Sequence, residues 1–381
     1  MQYTVALHTT KKRLYNRFEH LLSLAGVVLN GNRPWDIQVH DDRLYSTVMR
    51  TGSLGLGEAY MDGWWDVAQL EEFFCRLLKA ELDTKVGSLQ DILNYAGALL
   101  VNMQSPERSY VVGRKHYDIG NDLYQKMLDK RMIYSCAFWQ NVSTLDSAQE
   151  AKLDMVCRKL ALKPGMRLLD IGCGWGGMAQ FAAENYAVEV VGITISKEQA
   201  SLAKERCAGL PVDILLQDYR SLDTTFDRIL SLGMFEHVGY KNYRTFMNKV
   251  RSLLSEDGLF LLHTIGSNTS RKTTDAWIHK YIFPNSMIPS AKQISGALEG
   301  LFVLEDWHNF GADYDKTLMH WFDNFRSNWN SLKNNYDERF FRMWKYYLLS
   351  CAGTFRARSN QLWQIILSPK GIPGGYRAHY K

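Results

Sequence analysis

No stretch of this chain approaches the ~20 consecutive apolar residues that a membrane-crossing helix needs. The longest candidates, LLSLAGVVL at 21–29 and ILNYAGALLVNM at 92–103, have the length of buried helices. The first residues, MQYTVALHTTKKRL, lack the basic-then-apolar order of a secretory leader. Cysteine is sparse: Cys75, Cys136, Cys157, Cys173, Cys207 and Cys351 are the six among 381 residues, with no C-x-x-C pair and no zinc spacing. That pattern argues against a disulfide framework or a metal cluster, and for reduced thiols in a cytoplasmic protein. A net charge of +5 is too small to point to nucleic acid, although it permits loose attraction to an anionic membrane surface. Repeats and low-complexity tracts are absent as well. What is present is ordinary globular composition, 46% hydrophobic and 22% charged, which excludes disorder. Aromatics reach 13%, with 11 Trp and 20 Tyr, enough for an aromatic-walled pocket or simply a well-filled core.

Residues 1–105 read as a helical N-terminal domain. RLYNRFEHLLSLAGVVLN and DVAQLEEFFCRLLKAEL both carry apolar residues at helical spacing. Between them, TGSLGLGEAYMDGWW holds Gly52, Gly55 and Gly57 without a preceding apolar strand or a following Lys, so a helix–loop–helix joint is expected rather than a phosphate loop. The polar stretch MQSPERSYVVGRKHYD at 103–118 marks the boundary to a second domain at 106–381. After Pro164 short apolar runs alternate with amphipathic segments: MRLLDIG, VEVVGITI, VDILLQ, FDRILSLG and GLFLLHTIG, with helices such as SKEQASLAKERC and YRTFMNKVRSLL between them. Five such strands imply a parallel sheet covered on both faces. FVLEDWHNF and QLWQIILS add a sixth and a seventh, separated by a long helical stretch rich in aromatics.

The first strand runs into LLDIGCGWGG at 168–177. A glycine turn between strand and helix brings backbone close to a ligand. Asp170, just before the first glycine, would repel a dinucleotide pyrophosphate, and the second strand ends GITIS with no acid to hold a ribose. A carboxylate at this turn better matches a cation, such as the amino-acid ammonium of S-adenosylmethionine. A nicotinamide site and a ligand-free turn are the lesser alternatives. D-x-G-x-G at the end of the first strand resembles the class I methyltransferases, whose fold is α/β: a Rossmann-like seven-stranded sheet with its last strand antiparallel.

Six further motifs, in order, extend the resemblance: HYDIGNDLYQKMLD at 116–129, MIYSCAFW at 132–139, TISKEQ at 194–199, SLGMFEHVG at 231–239, LLHTIG at 261–266 and EDWHNFGADY at 305–314. Together they resemble the cyclopropane-fatty-acyl-phospholipid synthases, with related motifs in the mycolic-acid cyclopropane synthases. The likeness runs through essentially the whole chain and includes GSLGLGEAYMDGWW, which the mycolic-acid enzymes lack. It implies transfer of a methylene group from S-adenosylmethionine to a cis double bond in a phospholipid acyl chain. It also implies that Tyr134 and Ser135 touch the cofactor and that Asp170, Gly172 and Gly174 line its amino-acid end. Thr194 and Gln199 would take the ribose in place of the missing acid, and Gln217, Asp218 and Tyr219 would lie by the adenine, with loop capping as the alternative for Asp218.

An alkene offers no proton to remove beforehand, so methyl transfer leaves a carbocation-like species that a base must deprotonate to close the ring. The family is understood to use bound bicarbonate, and the resemblance places Glu236, His263 and Tyr314, with the backbone at Cys136 and Ile265, around it. Bicarbonate keeps one O–H to give Glu236, while the other groups donate to its remaining oxygens. Taken singly, Glu236–His237 could be a helix start, His263 a core histidine, and Cys136 an unactivated thiol. Cys351, in SCAGTFRAR, matches a family cysteine and reads as packing or pocket lining. Phe138, Trp139, Tyr117 and Phe235 are candidates to wall the chamber against a developing cation, or else ordinary core.

Because the substrate chain is membrane-borne, peripheral association with the inner face of the membrane is expected. Trp64 and Trp65 could insert at an interface or be buried, and Arg114, Lys115, Lys130 and Arg131 could meet headgroups. The family tends to form homodimers. The rival readings are a methyl-branched or methylidene lipid product, an N-methylated amine, or a lipid-binding protein that has lost catalysis.

Overall fold

The computed structural model of the protein describes residues 2–82 and 120–378. These fall into two compact units. The first takes residues 2–82 together with Thr273–Pro284 and Arg326–Ser359, and the second takes 120–272, Asn285–Phe325 and 360–378. The boundary expected at 105–106 lies outside the described residues. A single cut does not separate the units in any case, because two later segments contribute to the first.

The reason is aromatic packing. In the first unit, Trp65 is fully buried and its indole donates to Leu56 O at 3.0 Å. Its ring packs against Tyr60, Phe73 and Tyr346, and Tyr346 packs in turn on Trp277 at 4.5 Å. Tyr346 and Trp277 come from the two later segments, so the core of this unit is completed by residues more than two hundred positions away. Helices Gln2–Leu24, Arg43–Thr51, Ser53–Met61 and Leu70–Lys79 surround it, with a two-residue antiparallel pair, β1 (Gln38–Val39) and β2 (Trp65–Asp66).

The expected joint at 51–65 proves mostly helical: SLGLGEAYM forms a helix of its own, and the break comes before it, at Gly52. Gly57 is small because the Trp277 ring lies against it, and a Cβ there would sit among the indole carbons. Trp65 is therefore core and unavailable for membrane insertion. Trp64 is half-buried beneath the Arg43 guanidinium, 4.3 Å from the ring centroid.

The second unit is built on seven strands: β3 (Arg167–Ile171), β4 (Glu189–Thr194), β5 (Val212–Leu216), β6 (Phe226–Leu232), β7 (Leu254–Ser267), β8 (Val303–Asn309) and β9 (Asn360–Ser368). Their order is β5-β4-β3-β6-β7-β9-β8. Strands β3 to β7 are parallel, and β9 runs antiparallel between β7 and β8. All seven apolar runs in the sequence thus become strands. Their alternation sends Leu169, Phe260, Leu262 and Ile365 to one face, against helices Tyr243–Leu253 and Ala291–Leu298. Leu168, Leu230, Leu261 and Ile366 go to the other, against helices Leu145–Lys159 and Gly177–Tyr186. Among the described residues no helix is long and apolar enough to cross a membrane, and no cluster of His, Cys, Asp and Glu suits a metal ion.

Candidate active site

The helix Leu145–Lys159 carries an unusual stripe. Leu145, Ala148, Lys152, Met155 and Lys159 recur at the spacing of one helical face, and both lysines are fully buried. Burial pushes each ammonium down to about 8. The helix packs through Leu153, Val156 and Cys157 on the sheet face that bears Asp170 and His263, which follow Leu168 and Leu261 by two residues along their strands, and both feel the charge of Lys152.

Asp170, near the end of β3, is 2% exposed, and its Oδ2 has no hydrogen-bond partner. Burial raises its carboxyl to about 7, against the opposing pull of Lys152. The turn that follows is shaped by Gly172, at φ +86°, where a Cβ would press on Met234, and by Gly174, whose missing Cβ faces open space. A buried, unpartnered carboxylate beside an open glycine turn fits the ammonium of a bound amino-acid moiety. Lys152 also donates to Ser135 Oγ at 2.9 Å, and Gln149 donates to Ser135 O at 2.8 Å, which fixes the segment holding Tyr134 and Ser135. The Tyr134 ring lies edge-on to Tyr124 and tilted against Trp321, its centroid 5.2 Å from each.

Beyond β4, Thr194 donates to Gln199 Oε1 at 2.8 Å, and both are buried, so the two residues expected at the ribose stand together. Gln217 N donates to Thr194 O at 3.0 Å. Asp218 caps the turn after β5, its oxygens accepting from Arg220 N at 2.9 Å and from the Arg220 guanidinium at 3.0 Å. The buried Tyr219 hydroxyl has no hydrogen-bond partner, and its ring meets Phe246 edge-on at 5.2 Å.

The second cluster lies past β6. Glu236 sits in a 3-10 turn, Phe235–His237, without capping it. Its Oε1 instead accepts from Ile265 N on β7 at 2.6 Å, and its Oε2 is buried without a partner. Desolvation raises this carboxyl to about 7. His263, two residues before Ile265 on the same face of β7, is 1% exposed. Its Nδ1 lies 3.3 Å from Gln364 Nε2, while its Nε2 is buried without a partner. Burial first, then Lys152 and Lys159, holds the ring well below the usual histidine range, so it is neutral.

Cys136 is fully buried, and desolvation pushes its thiol well above its ordinary value, which rules out a resting thiolate. Thr317 anchors this segment: its hydroxyl accepts from Ala137 N at 3.2 Å and from Trp139 Nε1 at 2.9 Å, and donates to Asp313 O at 2.8 Å. Tyr314 lies one turn before Thr317 on the helix Ala312–Leu332, its ring 5.9 Å from Trp321. Cys351 falls in the first unit, and burial raises its thiol to about 12.

The proposed aromatic wall divides. Phe138 meets Phe310 at 5.6 Å, and Phe310 meets the His263 ring at 5.9 Å, so these rings form one chain. Phe235 is core, stacked on Tyr243 at 4.3 Å, and Trp139 is tied by stacking on His320 and by its bond to Thr317. Tyr117, Arg114 and Lys115 lie outside the described residues. Arg131 is committed to Glu150 and Glu184 at 3.3 and 3.1 Å, and Lys130 to Glu150 at 3.0 Å.

The strand order, the single antiparallel strand and the glycine turn after β3 define a class I methyltransferase fold. Residues 104–365 match the mycolic acid cyclopropane synthetase family, and the chain belongs to it. It is 55% identical over 364 residues to the cyclopropane-fatty-acyl-phospholipid synthase of Escherichia coli (strain K12), covering 95% of each chain. A solved cyclopropane synthase from Mycobacterium tuberculosis is 31% identical, with a TM-score of 0.64 over 68% of this chain and 97% of that one. A mycolic acid cyclopropane synthase complexed with SAH and CTAB is 33% identical, with the same TM-score and coverage.

Proposed function

We infer that this enzyme transfers a methylene group from S-adenosylmethionine to the cis double bond of an unsaturated phospholipid acyl chain, forming a cyclopropane fatty acid. S-adenosylmethionine, when bound, supplies an electrophilic methyl carbon. Asp170 would hold its ammonium, Tyr134, Ser135, Gly172 and Gly174 its amino-acid end, Thr194 and Gln199 its ribose, and Gln217, Asp218 and Tyr219 the adenine side.

One observation carries the choice of ring closure over simple methylation. Glu236 Oε2 and His263 Nε2 are both buried and both lack a partner, although buried polar groups are ordinarily satisfied. The two residues are joined through adjacent strand ends, since Gly233 N donates to His263 O at 2.9 Å and Ile265 N to Glu236 Oε1 at 2.6 Å. A small oxyacid with an O–H for the carboxylate and an oxygen for the imidazole satisfies both at once. Bicarbonate has that form and, when bound, supplies a weak base for the proton lost in ring closure. Tyr314 and the main chain at Cys136 and Ile265 would complete its holder, with Ile265 acting through Glu236. Phe138 and Phe310 would face the developing positive charge with ring π systems.

The acyl chain is membrane-borne, so a reversible visit to the inner face of the membrane, as a homodimer presenting two docking faces, belongs to the same reading. The net charge of +5 supports it. Arg131 and Trp65, engaged internally, contribute to docking little if at all.

The test is incubation with S-adenosylmethionine and vesicles of cis-monounsaturated phospholipid, then mass spectrometry of the acyl chains before and after mild hydrogenation. One added CH₂ that resists hydrogenation is the expected product. One that takes up hydrogen means a methylidene or shifted alkene, and no gain means an amine substrate or a carrier.

A further inference from the structure

Three strands place one row of side chains on the lysine-facing side of the sheet. In the register of β7, β9 and β8, His263 pairs with Gln364, and Gln364 pairs with His308. Paired residues of neighbouring antiparallel strands point to the same face, so the three stand side by side. Gln364 is fully buried, and its amide Nε2 lies 3.3 Å from His263 Nδ1. At the far end of the row, Lys159 Nζ lies 3.0 Å from His308 Nδ1.

A neutral imidazole has one N–H, and the hydrogen bond made by one ring nitrogen decides where the proton sits on the other. An amide NH₂ only donates. Facing Nδ1, it requires a lone pair there, and the proton is left on Nε2, the nitrogen that points to no protein partner. Without that bond the two tautomers of a neutral imidazole differ little in energy, and the site would offer a lone pair to an anion in a sizeable share of molecules. The buried lysines remove the remaining option, since doubly protonated imidazolium is disfavoured beside two ammonium groups.

We propose that Gln364 is a positioning residue that fixes His263 in its Nε2–H tautomer, so that the histidine presents a donor, and never a lone pair, to the oxyanion base. The inference rests on the reading of His263 as part of the base's holder. The tautomer itself, however, is a property of the resting protein, so it can be measured without substrate or bicarbonate.

The experiment uses the full chain labelled with ¹⁵N at its histidines, ten in all. The His263 signals are assigned by their loss in His263→Gln. Long-range ¹H–¹⁵N spectra are expected to show His263 with its proton on Nε2. In Gln364→Glu, a carboxylate facing the ring should draw the proton to Nδ1, and turnover should drop by ~10²-fold or more, as for other wrong-tautomer active-site histidines. Cofactor affinity should stay within a few-fold. In Gln364→Met, which neither donates nor accepts strongly, a mixture of tautomers and a smaller loss are expected. A proton on Nδ1 in the unmodified protein overturns the proposal, whether or not a variant folds. So does an unchanged tautomer with unchanged turnover in Gln364→Met. If the tautomer is as stated but turnover is indifferent to bicarbonate, the reading of the base fails while the role of Gln364 in setting the tautomer stands.

Discussion

Two carboxylates stand on this sheet, near the end of β3 and just past the end of β6, and they look alike at first. Asp170 and Glu236 are both buried, both raised to about 7, and both keep one oxygen without a partner. Their neighbours separate them. Asp170 lies in the field of Lys152, which favours its ionised form. Glu236 is raised by burial with no cation beside it, and the pull that opposes this comes from hydrogen-bond donors led by Ile265 N. The first is prepared to become fully anionic when a cation arrives. The second is prepared to accept from a neutral or weakly acidic O–H without losing its own environment. One desolvated acid is thus suited to binding and the other to orienting a base, and the difference comes from a lysine on one helix.

Substitution at Glu236 should have the largest effect. Glu236→Gln keeps the acceptor for Ile265 N but replaces the open carboxylate oxygen, so turnover should fall by ~10²–10⁴-fold, the usual worth of acid–base machinery. Calorimetry should find cofactor affinity within a few-fold of the unmodified enzyme. Asp170→Asn should show the reverse split, with cofactor affinity down by roughly 10²-fold, as for loss of a buried charge partner, and the residual turnover recovered at high cofactor concentration. Equal effects of the two substitutions on binding would erase the distinction between them.

The pH dependence sharpens the contrast. Because Asp170 titrates at about 7 before the cofactor binds, affinity should rise with pH through that value, with a proton released on binding. Lys152→Met should move this midpoint upward and leave that of Glu236 in place. Titration calorimetry in buffers of different ionisation enthalpy reads both.

The smallest effect is on stability. An acid whose folded value is raised to about 7 releases its proton more readily when unfolded, so stability falls as pH climbs from its ordinary range near 4 to about 7, then levels. Each unit by which the folded value of an acid is raised contributes ~1.4 kcal/mol to that fall. Glu236→Gln and Asp170→Asn should therefore each raise the thermal midpoint at pH 8 more than at pH 5.

Much of this was legible in the sequence because it rests on short-range patterns. Seven apolar runs announced seven strands, and an acid before spaced glycines announced the turn. Residues that stand after strand ends, such as Glu236, are brought together by the sheet itself. What was missed acts through space. Lys152 and Lys159 repeat at helical spacing with Leu145, Ala148 and Met155, a stripe visible in the sequence, but lysine is ordinarily read as solvated. Gln364 sits in an apolar run and gains meaning only from the strand register. The helix Ser53–Met61 was hidden by its glycines, of which Gly57 makes room for the Trp277 ring from far along the chain and Gly55 for Thr47 and Thr51 of the preceding helix. For the same reason the first unit's two late segments had no local signature.

The most direct test of the central claim, that Glu236 and His263 hold a bicarbonate base, is the rate of ring formation in CO₂-depleted buffer as bicarbonate is restored. The account predicts a rate that rises and saturates with bicarbonate in the unmodified enzyme and stays low throughout in Glu236→Gln. A full rate without bicarbonate, or the same rise in the variant, would contradict it.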